Sequence, residues 1–419
     1  MIMSLQILAL ACLVGAIVIG FARKINVGLV CMGLSLILGT IGGISSKEIY
    51  AGFPGKLFAT LLGTMLFFSL LQDNGTLEQV SKKMTSLCGK NTFLVPVIIY
   101  IASFVLSAAG PGAISVQTVM VLFAVPLAIH MHLNPILMGA MAILGAVGGT
   151  ASPIALTGII VGDLLTEMNI SGQGMKIFLG VSVANLACAV VTYILFKGWK
   201  VSGSATVDTQ DKEKFDGKQK LGLVLMLVMF VMVVGFGYDV GLVCMTLSLI
   251  LIMANAADPK KAVKALPWNT LILIAGVNML MSITKTMGGI DLLSTILASF
   301  MNKVTAAPLM GATGGIMSWF SSANGVVFPT LIPTVPDVAA QVGGASVLQM
   351  VVAIVCSATV AGLSPMSTGG SLVMASYAQE TDADEKEQSD MFGKLFGLSA
   401  ICVLVVFVMT LLGLLKFLH

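Results

Sequence analysis

Charge is what this chain has least of. Only 10% of its 419 residues are Asp, Glu, Lys or Arg, against 57% hydrophobic, and the mean hydropathy is +1.01. That balance excludes an ordinary soluble domain and indicates a polytopic membrane protein. The net charge of +3 is small, and the charges gather in short segments between apolar runs, so no nucleic-acid partner is implied. Histidine is nearly absent: of three, His130 and His132 are near neighbours, which leaves a zinc or haem site without ligands. The seven cysteines lie mostly in apolar segments without metal-type spacing and read as small core residues rather than disulfides. No nucleophile–base pair or metal-ligand cluster is visible, so an enzyme is not expected. Met1–Gly20 lacks a basic leading segment, Arg23 and Lys24 coming only after the apolar run, which argues against a signal peptide.

What is present is a series of apolar runs of about bilayer length, near 4–22, 26–44, 57–72, 135–166 and 176–196. The fourth is interrupted by Gly148–Gly158, reading GGTASPIALTG, where two glycines and a proline oppose helix continuation. Freed backbone groups in lipid cost several kcal/mol unless protein, ions or water satisfy them. A simple kink would explain one such segment, but Ala361–Gly370, reading AGLSPMSTGG, repeats the pattern. Matched interrupted helices in two halves point to a transporter binding site. Two shorter runs, 92–108 and 116–130, are separated by Ala108-Ala109-Gly110-Pro111-Gly112 and read as a re-entrant hairpin, the alternative being two ordinary short helices.

After the Lys-rich stretch 197–220 the pattern restarts, with runs near 220–236, 239–254, 268–285, 345–378 (broken) and 391–417, and a second hairpin over 305–340. The repeat is legible in letters. Asn26–Leu38 is NVGLVCMGLSLIL and Asp239–Leu251 is DVGLVCMTLSLIL, identical at 11 of 13 positions with an offset of 239 − 26 = 213. The same offset carries Pro54 onto Pro267 and Gly75 onto Gly288. This describes a duplicated five-span unit, residues 1–196 and 221–419, joined by a linker at 197–220. Five is odd, so the second copy enters the membrane from the opposite side. With the linker in the cytoplasm, Arg23/Lys24, Lys82/Lys83/Lys90 and Lys260/Lys261/Lys264 also fall inside, while Lys47, Lys56, Lys176, Lys285 and Lys303 fall outside. Both termini are then expected outside an inner (cytoplasmic) membrane.

The hairpin tips align as well: Ser103-x-x-x-Ser107-Ala108-Ala109-Gly110 matches Ser318-x-x-x-Ser322-Ala323-Asn324-Gly325 at an offset of 318 − 103 = 215. Beside them the broken helices supply Gly149, Thr150, Ser152 and Thr157 in one half and Ser364, Ser367, Thr368 and Gly369 in the other. Half-helix N-termini suit an anion, and unwound carbonyls with hydroxyls suit a small cation. Taken singly, each Ser or Thr has an ordinary role in packing and back-bonding; the four-segment set favours a site. No titratable residue lies in the tips or Ser-Pro turns. A proton-coupled carrier normally needs one, whereas Na+ is held by neutral oxygens, so sodium coupling is favoured. Asp73, Asp163 and Asp291 read as solvated helix ends.

On these residues the chain resembles the ion-transporter superfamily, and within it the divalent-anion/sodium symporters and malonate- and dicarboxylate-carrier permeases. In that symporter family each tip carries Ser-Asn-Thr; here Ser107-Ala108-Ala109 and Ser322-Ala323-Asn324 stand there, keeping the serines, with Asn324 displaced by one place. The reading of these segments expects substrate contacts at Ser107, Gly110, Thr157, Ser322, Asn324, Gly325, Thr368 and Gly369, and Na+ ligation among Ser103, Ser107, Gly149, Thr150, Ser152, Ser318, Ser322, Ser364 and Ser367. Within these sets the resemblance implies ligand roles for Ser107, Ser322 and Asn324, with Ser103 and Ser318 near cation sites. It further implies an all-α homodimer working as an elevator, with a scaffold of about 1–90 and 221–302 and a transport domain of about 91–196 and 303–419. The expected function is Na+-coupled symport of a small organic dianion, a C4-dicarboxylate or malonate. The competing readings are a proton-coupled or exchange carrier of a monocarboxylate on the same fold, an ion channel, and a passive membrane scaffold.

Overall fold

A computed structural model describes residues 2–23, 25–85, 92–200, 214–381 and 385–415; Lys24, Lys90, Cys88 and Lys212 lie outside them. Among the described residues helices are joined by turns and short irregular segments, with no strand. The first half runs α1 (Ile2–Arg23), α2 (Val27–Ile41), α3 (Ser46–Ala51), α4 (Gly55–Asp73), α5 (Thr76–Thr85), α6 (Val95–Ala108), α7 (Gly112–His130), α8 (Pro135–Gly149), α9 (Leu156–Glu167) and α10 (Gly174–Leu195). The second runs α11 (Gly217–Phe230), α12 (Val240–Met253), α13 (Pro259–Ala265), α14 (Trp268–Thr286), α15 (Gly289–Ser299), α16 (Ala306–Phe320), α17 (Phe328–Leu331), α18 (Val335–Gln341), α19 (Val347–Val360), α20 (Thr368–Glu380) and α21 (Glu385–Leu411). Among the described residues five helices are long and apolar enough to cross a membrane, or six if α13 and α14, bent by 51°, form one span.

The duplicated letters adopt duplicated local structure. Asn26 caps α2, its Oδ1 accepting from Gly28 N–H at 2.8 Å, and Asp239 caps α12, accepting from Leu242 N–H at 3.0 Å. Gly75 (φ +74°) and Gly288 (φ +75°) make the same left-handed turn. A glutamine amide lies over each: Nε2 of Gln219 and Nε2 of Gln6 would be 3.3 and 2.8 Å from a Cβ at those glycines. These glutamines are themselves 219 − 6 = 213 apart.

Tertiary contacts repeat too. α2 packs on α14 and α12 packs on α4. A Cβ on Gly276 would run into the Gly28 carbonyl, and one on Gly63 would run into the Gly241 carbonyl. Since 241 − 28 and 276 − 63 are both 213, residue i of one copy meets residue j of the other, and the reverse. The core divides accordingly. One cluster joins α4, α11 and α12 through Phe67, Phe68, Met229 and Cys244; another joins α1, α2 and α14 through Ala16, Cys31, Leu280 and Met281. A third and larger one fills the space among α6–α10, α16 and α19–α21.

Two expected spans come out shorter than a bilayer. α2 and α12 have 15 and 14 residues, about 21–23 Å against roughly 30 Å of hydrocarbon. α2 stops at Gly42-Gly43 and α12 at Ala254-Asn255, where Gly43 (φ +69°) and Asn255 (φ +51°) turn left-handed. The arms of the first hairpin are unequal: α6 has 14 residues and α7 has 19, the second long enough to cross. Pro126 lies within α7 without ending it.

Candidate functional site

Both interrupted spans are open where the sequence places the Ser-Pro turns. α8 ends at Gly149 and α9 starts at Leu156; α19 ends at Val360, passes through a 3₁₀ turn at Ala361–Leu363, and α20 starts at Thr368. Neither α9 nor α20 has a side-chain cap, so no side chain competes with a ligand for the N–H groups at their starts. Each break is held open by a carbonyl under a glycine. A Cβ at Gly158 would run into the Ser152 carbonyl, and one at Gly370 into the Ser364 carbonyl. Gly158 N–H meanwhile donates to Thr150 O at 3.1 Å.

Three of the four expected segments are joined by one chain of hydrogen bonds. Ala113 N–H, just past the first tip, donates to Thr150 Oγ1 at 3.2 Å. Thr150 Oγ1 donates to Thr157 Oγ1 at 3.3 Å, and Thr157 Oγ1 to Asn324 Oδ1 at 2.9 Å. Asn324 belongs to the second tip, so this path crosses from one half of the chain to the other. The fourth segment joins through space. Thr368 and Ser322 line one cavity of about 480 Å³, together with Ile114 of α7.

Around that chain the serines divide into satisfied and unsatisfied sets. Ser318 Oγ donates to Ala358 O at 2.7 Å, and Ser322 Oγ accepts from Gly325 N–H at 3.1 Å. Ser364 Oγ accepts from Met366 N–H at 3.2 Å, and Ser367 Oγ donates to Ser364 O at 2.8 Å. The first-half counterparts of Ser318 and Ser322 differ: Ser103 and Ser107 are fully buried, and their hydroxyls have no partner. An unpaired buried hydroxyl costs about 1–3 kcal/mol, so such groups mark a place for a ligand, ion or water. Both sit against α8, Ser103 opposite Gly145 and Ser107 opposite Gly149. Gly149 thus permits the close approach of α6; a Cβ there would lie 2.8 Å from Ala108 N and 3.0 Å from Ser107 Cβ. Gly369 is pressed between Gly362 O and Ile143, bringing α20 against α8. Ser152 is buried in the break, its N–H donating to Gly149 O. Gly110 has φ +135° and packs against Phe68 of α4, which explains a glycine at the tip.

Sequence reasoning did not single out Asn26, Asn269, Thr270 or Ser321, which form the polar rim of the cavity, nor the buried Asn185 and Ser357, which each hold an unpaired oxygen. Asn26 was visible only as a letter of the repeat. Its Nδ2 donates to Asn269 O at 2.8 Å, closing one corner of the rim.

A comparison with family models matches residues 13–327 to the family described as citrate transporter. The chain belongs to the citrate transporter family. It is a membrane transporter and not an enzyme, as the residues themselves indicate, and the resemblance to divalent-anion symporters holds at that level. Among solved structures it is similar to the Neisseria gonorrhoeae antimetabolite efflux pump MtrF, with a TM-score of 0.55 and 12% identity over 90% of this chain and 83% of that one. At that identity the likeness concerns the fold alone. No curated protein matches the chain.

Proposed function

We propose that the protein is a secondary active transporter coupling Na+ to the movement of a small carboxylate anion, either citrate or a dianion such as succinate or malonate. The observation that carries this reading is the hydrogen-bonded path Ala113–Thr150–Thr157–Asn324, which ties one hairpin tip and one broken helix to the other hairpin tip. The uncapped starts of α9 and α20 suit carboxylates. The unpaired Ser103 and Ser107 hydroxyls, with the carbonyls of the α8 break, suit a bare monovalent cation better than a proton, for which no titratable side chain lies in the tips.

The proposed architecture is a pair of inverted repeats, residues 1–196 and 221–419, with the linker 197–220 and its lysines in the cytoplasm and both termini outside. The reciprocal Gly28–Gly276 and Gly241–Gly63 contacts support it. In an elevator scheme the two smaller core clusters form the scaffold, through which two copies dimerise, and the large cluster forms the moving transport body.

The deciding experiment is uptake of radiolabelled citrate, succinate and malonate into proteoliposomes under an inward Na+ gradient or a matched choline gradient. We expect uptake of one of the three with Na+ only. Equal uptake in both gradients would transfer coupling to protons or exchange. Uptake of none would remove the carboxylate reading.

A further inference from the structure

The two hairpin tips rest at different heights on helices that the sequence makes equivalent. Gly110 and Gly325 correspond (325 − 110 = 215), and so do the starts of α4 and α14 (268 − 55 = 213). Gly110 packs on Phe68, whereas Gly325 packs on Leu273. The counterpart of Phe68 is Met281 (68 + 213), so Gly325 sits 281 − 273 = 8 residues nearer the start of its helix. At 1.5 Å per residue that is about 12 Å. The cavity shows the same asymmetry. It is open at the start of α14, where Asn269, Leu273 and Ser322 line it, while at the start of α4 Leu57 and Thr60 are buried.

From this asymmetry we propose that Lys56 receives the anion at the opposite entrance, the one the elevator scheme above opens when each tip takes the other's height on its helix. This rests on the transporter reading above. The residues that would line the entrance are the counterparts of those lining the present cavity: Lys56 for Asn269, Thr60 for Leu273, Asp239 for Asn26 and Ser107 for Ser322. In the exchanged state Gly110 rests on Thr60 and Gly325 on Met281.

Two of these replacements change charge. Asp239 is committed as the cap of α12, its carboxylate accepting from Leu242 N–H at a helix N-terminus. Lys56 is exposed in the first turn of α4, which packs against α9, the half-helix that follows the first break and carries Asp163, and its charge is felt there. Glu167, one turn on, faces the same acidic neighbour and is acted on by Lys285. When α9 travels with the tips, Asp163 leaves and the Lys56 charge becomes available to an incoming carboxylate. A cation at the mouth of a cleft raises the local concentration of anions and speeds their capture. Asn269 offers no such charge, so the two entrances would recognise the anion unequally. The distribution of basic loops assigns Lys56 to the exterior.

The test measures half-saturation for citrate from each side separately, by exchange in proteoliposomes of defined orientation, for the unaltered protein, Lys56→Gln and Lys56→Arg. We expect Lys56→Gln to raise half-saturation from the Lys56 side about tenfold, the low end of electrostatic steering. The other side should stay unchanged, Lys56→Arg should restore the value, and added choline chloride should shrink the difference. An equal change on both sides, or none, overturns the assignment while leaving the transporter reading intact; absence of citrate uptake by the unaltered protein indicts that reading instead. A second readout needs no substrate. Thr60→Cys should react with a membrane-impermeant thiol reagent from the Lys56 side and Leu273→Cys from the other, against the parent protein as background. Failure of Thr60→Cys to react removes the second entrance.

Discussion

Thr157 Oγ1 donates a 2.9 Å hydrogen bond to Asn324 Oδ1, linking side chains 167 positions apart in sequence. One belongs to the first broken helix and the other to the second hairpin tip, so both halves of the chain contribute to the candidate site. A hydrogen bond of this kind contributes roughly 0.5–1.5 kcal/mol net. In a double-mutant cycle with Thr157→Val and Asn324→Ala, we expect a coupling of about 1 kcal/mol in substrate-binding free energy, within the range for contacting pairs. Strict additivity would mean the bond has no part in binding.

The unpaired Ser107 hydroxyl predicts a separation of stability from activity. Ser107→Ala removes a buried group without a partner, so the ligand-free melting temperature should hold or rise while Na+-dependent uptake falls. Ser322→Ala, which deprives Gly325 N–H of its acceptor, should cost about 0.5–2 kcal/mol of stability as lost caps do. The double variant should fold and carry nothing. Normal uptake by a normally expressed double variant would take both serines out of the site.

Opening of the two breaks is predicted to depend on Gly158 and Gly370. Alanine at either would press a methyl against the Ser152 or Ser364 carbonyl. We expect each variant to reach the membrane and to lose most of its uptake, since the carbonyl must move to make room. Unimpaired transport by both would show that the break geometry is not needed.

The reciprocal glycine contacts carry a prediction about packing alone. Gly28→Ala, Gly63→Ala, Gly241→Ala and Gly276→Ala each insert a methyl between helices that touch through backbone. Overpacking of this kind costs about 1–3 kcal/mol. Thermal unfolding in detergent should show comparable losses for all four, because the contacts are paired by the 213-residue offset. A loss confined to one pair would mean that only one of the two helix contacts, α2 on α14 or α12 on α4, is packed tightly.

Much of the fold was legible because hydropathy and the inserted Gly and Pro residues are local signals. The breaks at Gly148–Gly158 and Ala361–Gly370 open where the letters change, since prolines and paired glycines oppose helix continuation whatever surrounds them. The caps Asn26 and Asp239 are equally local. The candidate site was legible as a set of segments, not as contacts: nothing in the letters says that Thr157 meets Asn324, or that Ser107 is unpaired while its counterpart Ser322 is not.

The sequence by itself determined that the chain lives in a membrane, that its halves are copies, and where two helices open. Periodicity and composition are sufficient for that, because in lipid every backbone group must find a partner within its own segment or be exposed deliberately. Only the tertiary structure decided that the copies are used unequally. Gly110 rests on Phe68 and Gly325 on Leu273, and the hydrogen-bonded path through Thr150, Thr157 and Asn324 holds the two tips together on different turns of their two helices. That inequality places the cavity beside Asn269 rather than Lys56, and a duplicated set of letters cannot express it.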